Sequence, residues 1–339
     1  MKHSLLAICL FSSIGAAQET RPALTGKSFL PDDHRLVVHA DLLAMRERGI
    51  WDELEVSALK LVFKQMEKEV GFPIASLDRI TMVGVLLADE AGRVRPREVV
   101  VFEGNTALKP ADRVRQNSEA DSIGGYEVLR RQHRPILIVQ PRPELLVEGE
   151  ESLVRPVLEG KPHTGMPCAD VMSLLSGRKD QLAWFVFDVT APEIKKNALG
   201  KLFPDAVWAE GEEPTFLCLR LVVLGDPDDP HLGFEGVLRH TKEGEGVAVS
   251  ERAADAWLER LRKEPTLRGA LPILKRVEKK RDRGDLVYSV DLGRARDAVG
   301  HAATLIGPLF MPRLEAAEAA EAVETVELVE EAPAQKPKK

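Results

Sequence analysis

Leu36-Val37-Val38-His39-Ala40-Asp41-Leu42 sets the fold of this chain, because its arrangement occurs twice more. The other copies are Trp184-Phe185-Val186-Phe187-Asp188-Val189 and Leu286-Val287-Tyr288-Ser289-Val290-Asp291-Leu292. In each, an apolar strand ends in aspartate, an apolar residue follows, and the pattern then turns helical. A carboxylate at such an exit accepts hydrogen bonds from the first free N–H groups of the helix, and its charge suits the helix's positive end. After Asp188, Thr190 and Glu193 are spaced as a capping box, with Pro192 in the first turn where a missing N–H costs nothing. Asp41, Asp188 and Asp291 are therefore read as structural, each at a strand-to-helix junction and far from the other two.

Working outward from the first copy, Leu59, Val62, Phe63, Met66 and Val70 form a helical stripe that stops at Gly71. Strands are expected at 80–88 and 98–102, with shorter ones near 126–130, 136–140 and 145–147 and a helix over 151–158. The second copy repeats this order. A strand over 182–187 leads into a helix reaching about 203, then strands at 215–224, 232–240 and 247–249. A further helix opens at Ser250, with Ala254, Trp257, Leu258 and Leu261 on one face. A parallel sheet needs a helix between nearly every pair of strands, and these spacings leave no room for one. The expected class is α+β: two related repeats, residues 18–165 and 166–312, with largely antiparallel sheets and helices packed on one face.

The order resembles that of a loose group of uncharacterised exported bacterial proteins built from two β-α-β-β-type repeats. The residues that carry the resemblance are Pro31-Asp32, Val37-Val38 and Asp41-Leu42, and later Val147-Glu148-Gly149-Glu150-Glu151-Ser152-Leu153. It spans most of residues 30–305 and implies an architecture and an envelope setting, with no activity or site residue attached.

The chain begins as a secretory leader does. Met1-Lys2-His3 is a short basic start, an apolar run from Leu5 to Ile14 follows, and Gly15 and Ala17 are the small residues before Gln18. The run is short of the roughly 20 apolar residues that span a bilayer core, so residues 1–17 are expected to be removed on export. The other end, 313–339, carries Glu315, Glu318, Glu321, Glu324, Glu327 and Glu330 among alanine and valine. A period of three drifts around an α-helix and makes no fixed apolar stripe, so this low-complexity tail is read as a solvated, partly helical or disordered extension.

Hydrophobic residues make up 44% and charged residues 30% of the chain, a globular balance. The formal charge of −7 becomes −8 when Lys2 leaves with the leader. No basic face is concentrated enough for nucleic acid, and no transmembrane segment is expected in the mature chain. Lys275, Arg276, Lys279, Lys280, Arg281 and Arg283 are interrupted by Glu278 and Asp282 and read as a solvated helix face. The mature chain keeps two cysteines. Cys218 sits within an apolar strand and Cys168 in a proline-rich loop; a bridge between them would close a loop of about 50 residues, worth roughly 4 kcal/mol.

No motif for chemistry survives its spacing. Thr25-Gly26-Lys27-Ser28 looks like the end of a phosphate-binding loop, but Arg21 stands where the first glycine is required. His34 and His39 lie five apart on a strand and so point to opposite faces. The loop from Asp226 to Asp229 offers carboxylates to calcium, yet its aspartate, proline and glycine are also what a hairpin turn needs. No catalytic, cofactor-binding or metal-ligating residue is assigned, and no cofactor is expected. The reading favours an exported, periplasmic or extracellular, non-enzymatic binding or structural module whose partner is an envelope protein or polymer. The alternative is an envelope hydrolase whose site assembles only in three dimensions.

Overall fold

The computed structural model describes residues 24–31, 35–55, 64, 67, 71–88, 94–110, 112–132, 134–163, 180–190, 199–226, 229–294, 297–298 and 301. The leader, the tail, Cys168, His34 and most of the helix expected over 59–70 lie outside the described residues, as does the capping box after Thr190.

The described strands are β1 (Leu36–Asp41), β2 (Leu77–Ala88), β3 (Val94–Gly104), β4 (Ser118–Ile123), β5 (Tyr126–Arg131) and β6 (Ile136–Arg142). They continue with β7 (Leu145–Glu150), β8 (Gln181–Asp188), β9 (Phe216–Asp226), β10 (Asp229–Arg239), β11 (Glu278–Asp282) and β12 (Asp285–Arg294). All twelve join one sheet in the order β11-β12-β10-β9-β8-β1-β2-β3-β7-β6-β5-β4. Every pairing is antiparallel, so the α+β class read from the sequence is the class of the molecule. β1 and β8 pair at the centre, with Leu36 opposite Phe187 and Ala40 opposite Ala183. Outward from that seam the order is β1, β2, β3, β7 on one side and β8, β9, β10, β12 on the other.

Helices α1 (Leu42–Glu47), α2 (Ile50–Glu55), α3 (Asp112–Gln116), α4 (Glu151–Leu158), α5 (Glu245–Lys263) and α6 (Leu271–Leu274) cover this sheet. They do not lie on one face, as the sequence reading had them. Val99 and Val101 of β3 pack with Val154, Val157 and Leu158 of α4 and with Phe29. The alternate residues Val100 and Phe102 pack with Leu42 and Met45 of α1, and with Ile50 and Trp51 of α2. Successive strand residues point to opposite faces, so the unbroken run Val99-Val100-Val101-Phe102 needs cover on both. The same holds for β6 and β7, where Leu137, Val139, Leu145 and Val147 face α4 and Ile138 and Leu146 face the other side.

Three local assignments change. The short strand expected over 247–249 is instead part of the first turns of α5. Three apolar residues cannot distinguish strand from helix, and Val247, Ser250, Ala254 and Leu258 form the buried stripe of one long helix. The basic stretch expected as a helix face is mostly the edge strand β11, exposed along its whole length. Lys279 reaches Glu251 and Asp255 of α5 at 2.8 Å each, and Arg281 also pairs with Glu251. Charged residues suit an edge, where they discourage pairing with another chain. β4 has no counterpart among the expected strands, because four of its six residues are exposed and no apolar alternation marks it.

Candidate functional site

Strand pairing brings one residue from each of the twelve strands into a single row across the sheet. Val128, Val139, Val147 and Val101 make up the part beneath α4. From Val101 the row passes to Thr81, His39, Trp184, Arg220, Glu235 and Ser289, each directly opposite the next. Asp121 and Glu278 end it at the two edges. Direct partners share a face. The sheet therefore carries a polar ladder on the central and C-terminal strands of a face that is apolar under α4.

The ladder is held by specific contacts. His39 Nδ1 and Thr81 Oγ1 are 2.9 Å apart. The rings of His39 and Trp184 stack with centroids 5.2 Å apart and planes 23° from parallel. Burial pushes the His39 imidazole down to about 4, with Asp41 opposing and Arg79 adding to the fall. It is therefore neutral at pH 7. Arg220 and Glu235 form an ion pair at 3.0 Å with side chains only 7% and 11% exposed. A pair so buried needs mutual neutralisation, since either charge alone would lose its hydration without return. The amide nitrogen of Gln181, at the bulge that starts β8, is buried without a hydrogen-bond partner among the described residues. Cys218, in the next row of the same face, is a fully buried free cysteine whose thiol is pushed up to about 11 by burial, so it stays protonated and unreactive.

The ladder is poorly arranged for general-base catalysis. A hydroxyl beside an imidazole is the start of a nucleophile–base pair, and Asp41 follows two residues along on the same face. Two things spoil the resemblance. An imidazole held near 4 is a weak base at neutral pH, where general bases work best with values close to the ambient pH. Asp41 is also committed elsewhere, accepting from the Ala44 N–H at 2.9 Å and lying 3.5 Å from Arg79.

The aspartates singled out in the sequence are not brought together. Asp41 caps α1 at one end of β1. Asp188 ends β8, which runs antiparallel to β1, so the two sit at opposite strand ends about 20 Å apart. Asp188 accepts from the Thr190 N–H at 2.8 Å and the Thr190 hydroxyl at 2.6 Å, and Arg35 donates to it at 2.5 Å. Asp291 corrects the expectation: it lies within β12, not at a junction. A register shift opposite Leu232 and Gly233 makes a bulge there, with Gly293 at φ 88°. Its carboxylate accepts from the Gly293 N–H at 2.7 Å and meets His231 Nδ1 at 3.1 Å. Burial would raise Asp291, but those two partners hold it below the usual carboxylate range.

The stretch from Asp226 to Asp229 is the connection of the β9–β10 hairpin, with the two aspartates as register partners and residues 227 and 228 outside the described set. Among the described residues no group of three or more His, Cys, Asp or Glu is placed to hold a metal ion. No helix among them is long and apolar enough to cross a membrane. A cavity of about 370 Å³ lies away from the ladder, between α5 and residues 203–207.

The residues that sequence reasoning missed are Thr81, Arg220, Glu235 and Ser289. Arg220 and Glu235 did carry a signal, each being a lone charge inside an apolar strand, but nothing in the sequence said that they face one another.

No known family matches the chain, and no curated protein matches it. Among solved structures it is similar to TP0453. Crystal form III of that protein aligns over 83% of this chain and 98% of its own, with a TM-score of 0.42 and 8% identity. Crystal form I gives a TM-score of 0.40 over the same shares, again at 8% identity. Neither likeness bears on the function of this chain.

Proposed function

We propose that this chain is an exported, non-enzymatic binding or structural module of the cell envelope, working through the polar ladder of its central sheet. The observation that carries this reading is the stacked His39–Trp184 pair beside the Arg220–Glu235 ion pair: a neutral, half-buried aromatic platform flanked by fixed polar groups. The partly exposed rings supply contact area for a flat partner and the Thr81 hydroxyl beside them a polar point of orientation, while the buried ion pair holds the neighbouring strands in place. The basic start, apolar run and small residues of 1–17 support export.

The competing reading is an envelope hydrolase, favoured by the hydroxyl–imidazole contact between Thr81 and His39. One experiment separates the two. The chain beginning at Gln18 is mixed with isolated cell-wall sacculi and assayed both for co-sedimentation and for released fragments. Saturable co-sedimentation weakened by Trp184→Leu, with no fragment release, is the expected result. Fragment release abolished by His39→Gln and Thr81→Val establishes the hydrolase instead.

We also infer that the two halves are related repeats. The matching orders outward from the β1–β8 seam support this. Superposing residues 36–104 on 181–239 is expected to pair the strands in the same sequence; a strand left without its counterpart overturns it.

A further inference from the structure

The cavity beside α5 differs in character from the ladder. Phe203, Ala206, Val249, Ala253 and Ala256 give it an apolar lining, and Arg252 and Arg260 stand along it on the helix. Val207 is 82% exposed and is the one large apolar side chain so exposed among the described residues. Arg252 has no ion-pair partner among the described residues. Arg260 makes one long hydrogen bond, donating to the Leu202 carbonyl at 3.4 Å, and its one carboxylate neighbour among the described residues is Asp205, at 4.0 Å and itself 90% exposed. An exposed valine and two loosely held arginines around one cleft mark a surface that recognises something both aliphatic and acidic.

We propose that this groove receives the chain's own tail, residues 313–339. The tail has the complementary composition, with glutamate at 315, 318, 321, 324, 327 and 330 separated by alanine and valine. The spacing also fits. In an extended backbone of three residues per turn, a period of three puts the glutamates in one line about 9 Å apart. Arg252 and Arg260 are eight residues apart on α5, about 12 Å along its axis, which two flexible side chains accommodate. Alanine and valine between the glutamates then face the Ala253 and Ala256 side of the helix. The segment from His301 to Glu315 can span about 45 Å when extended. Tethering makes the contact intramolecular, so modest affinity suffices for occupancy. This inference does not depend on the ladder's role, and the two fail separately.

The test uses a fluorescent peptide of residues 313–333 and a chain ending at Pro312, read by anisotropy. Saturable binding is expected, weakened about tenfold by the double change Arg252→Glu and Arg260→Glu. Raising salt to about 0.5 M should weaken it as well, since both arginines are exposed. The full-length chain should bind the peptide less well than the shortened one, because its own tail competes. Val207→Asp, at a position with no packing role, provides a second variant that leaves the fold intact and should also weaken binding. No saturable binding to the shortened chain, or equal binding by the charge-reversed variant, overturns the proposal. So does equal peptide affinity of the full-length and shortened chains.

Discussion

Arg220 of β9 and Glu235 of β10 face each other across neighbouring strands, 3.0 Å apart and almost wholly buried, on the same sheet face as His39 and Trp184. Removing one partner strands the other's charge in the interior. Arg220→Leu and Glu235→Leu are each expected to cost about 3–5 kcal/mol in urea unfolding, and the double variant much less than their sum. Additive losses would show that the two side chains do not depend on each other.

His39 gives the ladder a pH signature. Its folded-state value of about 4 lies below the ordinary 6.5, so between those values the unfolded chain binds more protons than the folded one. This contribution is undiminished above about pH 6.5, falls as the pH drops toward 4, and changes no further below that. The upper bound is about 3 kcal/mol, reduced by the ring's partial contact with solvent. Urea midpoints measured from pH 7 to 4 should fall more steeply for the native chain than for His39→Gln, whose amide still reaches Thr81. Parallel slopes would mean that the imidazole titrates as it does in water.

Asp41 and Asp188 should respond differently to the same pair of substitutions. Asp41→Ala loses a cap worth about 0.5–2 kcal/mol, and Asn recovers much of it because an amide oxygen accepts from the Ala44 N–H almost as well. At Asp188 the carboxylate also takes the Arg35 guanidinium, so Asn keeps the Thr190 contacts but gives up the charge pairing. Thermal melts should therefore show Asn rescuing position 41 more completely than position 188. The reverse order would displace Arg35 from this account.

Export makes a prediction about the N-terminus. Mass spectrometry of protein from an envelope fraction should find a chain starting at or near Gln18. An intact Met1 form recovered from the cytoplasm would remove the basis for an envelope role.

Several elements are legible from residues alone because their determinants are local. The helix over 151–158 is bounded correctly, since its apolar spacing and preceding strand lie within a dozen residues. Asp41 is identifiable as a cap for the same reason: donor and acceptor are three residues apart. The central strands β2, β3, β8, β9 and β10 announce themselves through continuous apolar runs. The polar strands β4 and β11 do not, because an exposed edge strand is specified by its neighbour's backbone and leaves little mark in its own composition.

What the sequence determined by itself is therefore the antiparallel α+β character and the Asp41 cap, both set by patterns within a few residues. Only the tertiary structure decided that the strands form one continuous sheet, covered on both faces and joined at β1 and β8. It also decided the candidate site. Alternation says which residues of one strand share a face, but the register between strands says which residues meet. His39, Trp184, Arg220 and Glu235 come from four strands, and register alone lines them up.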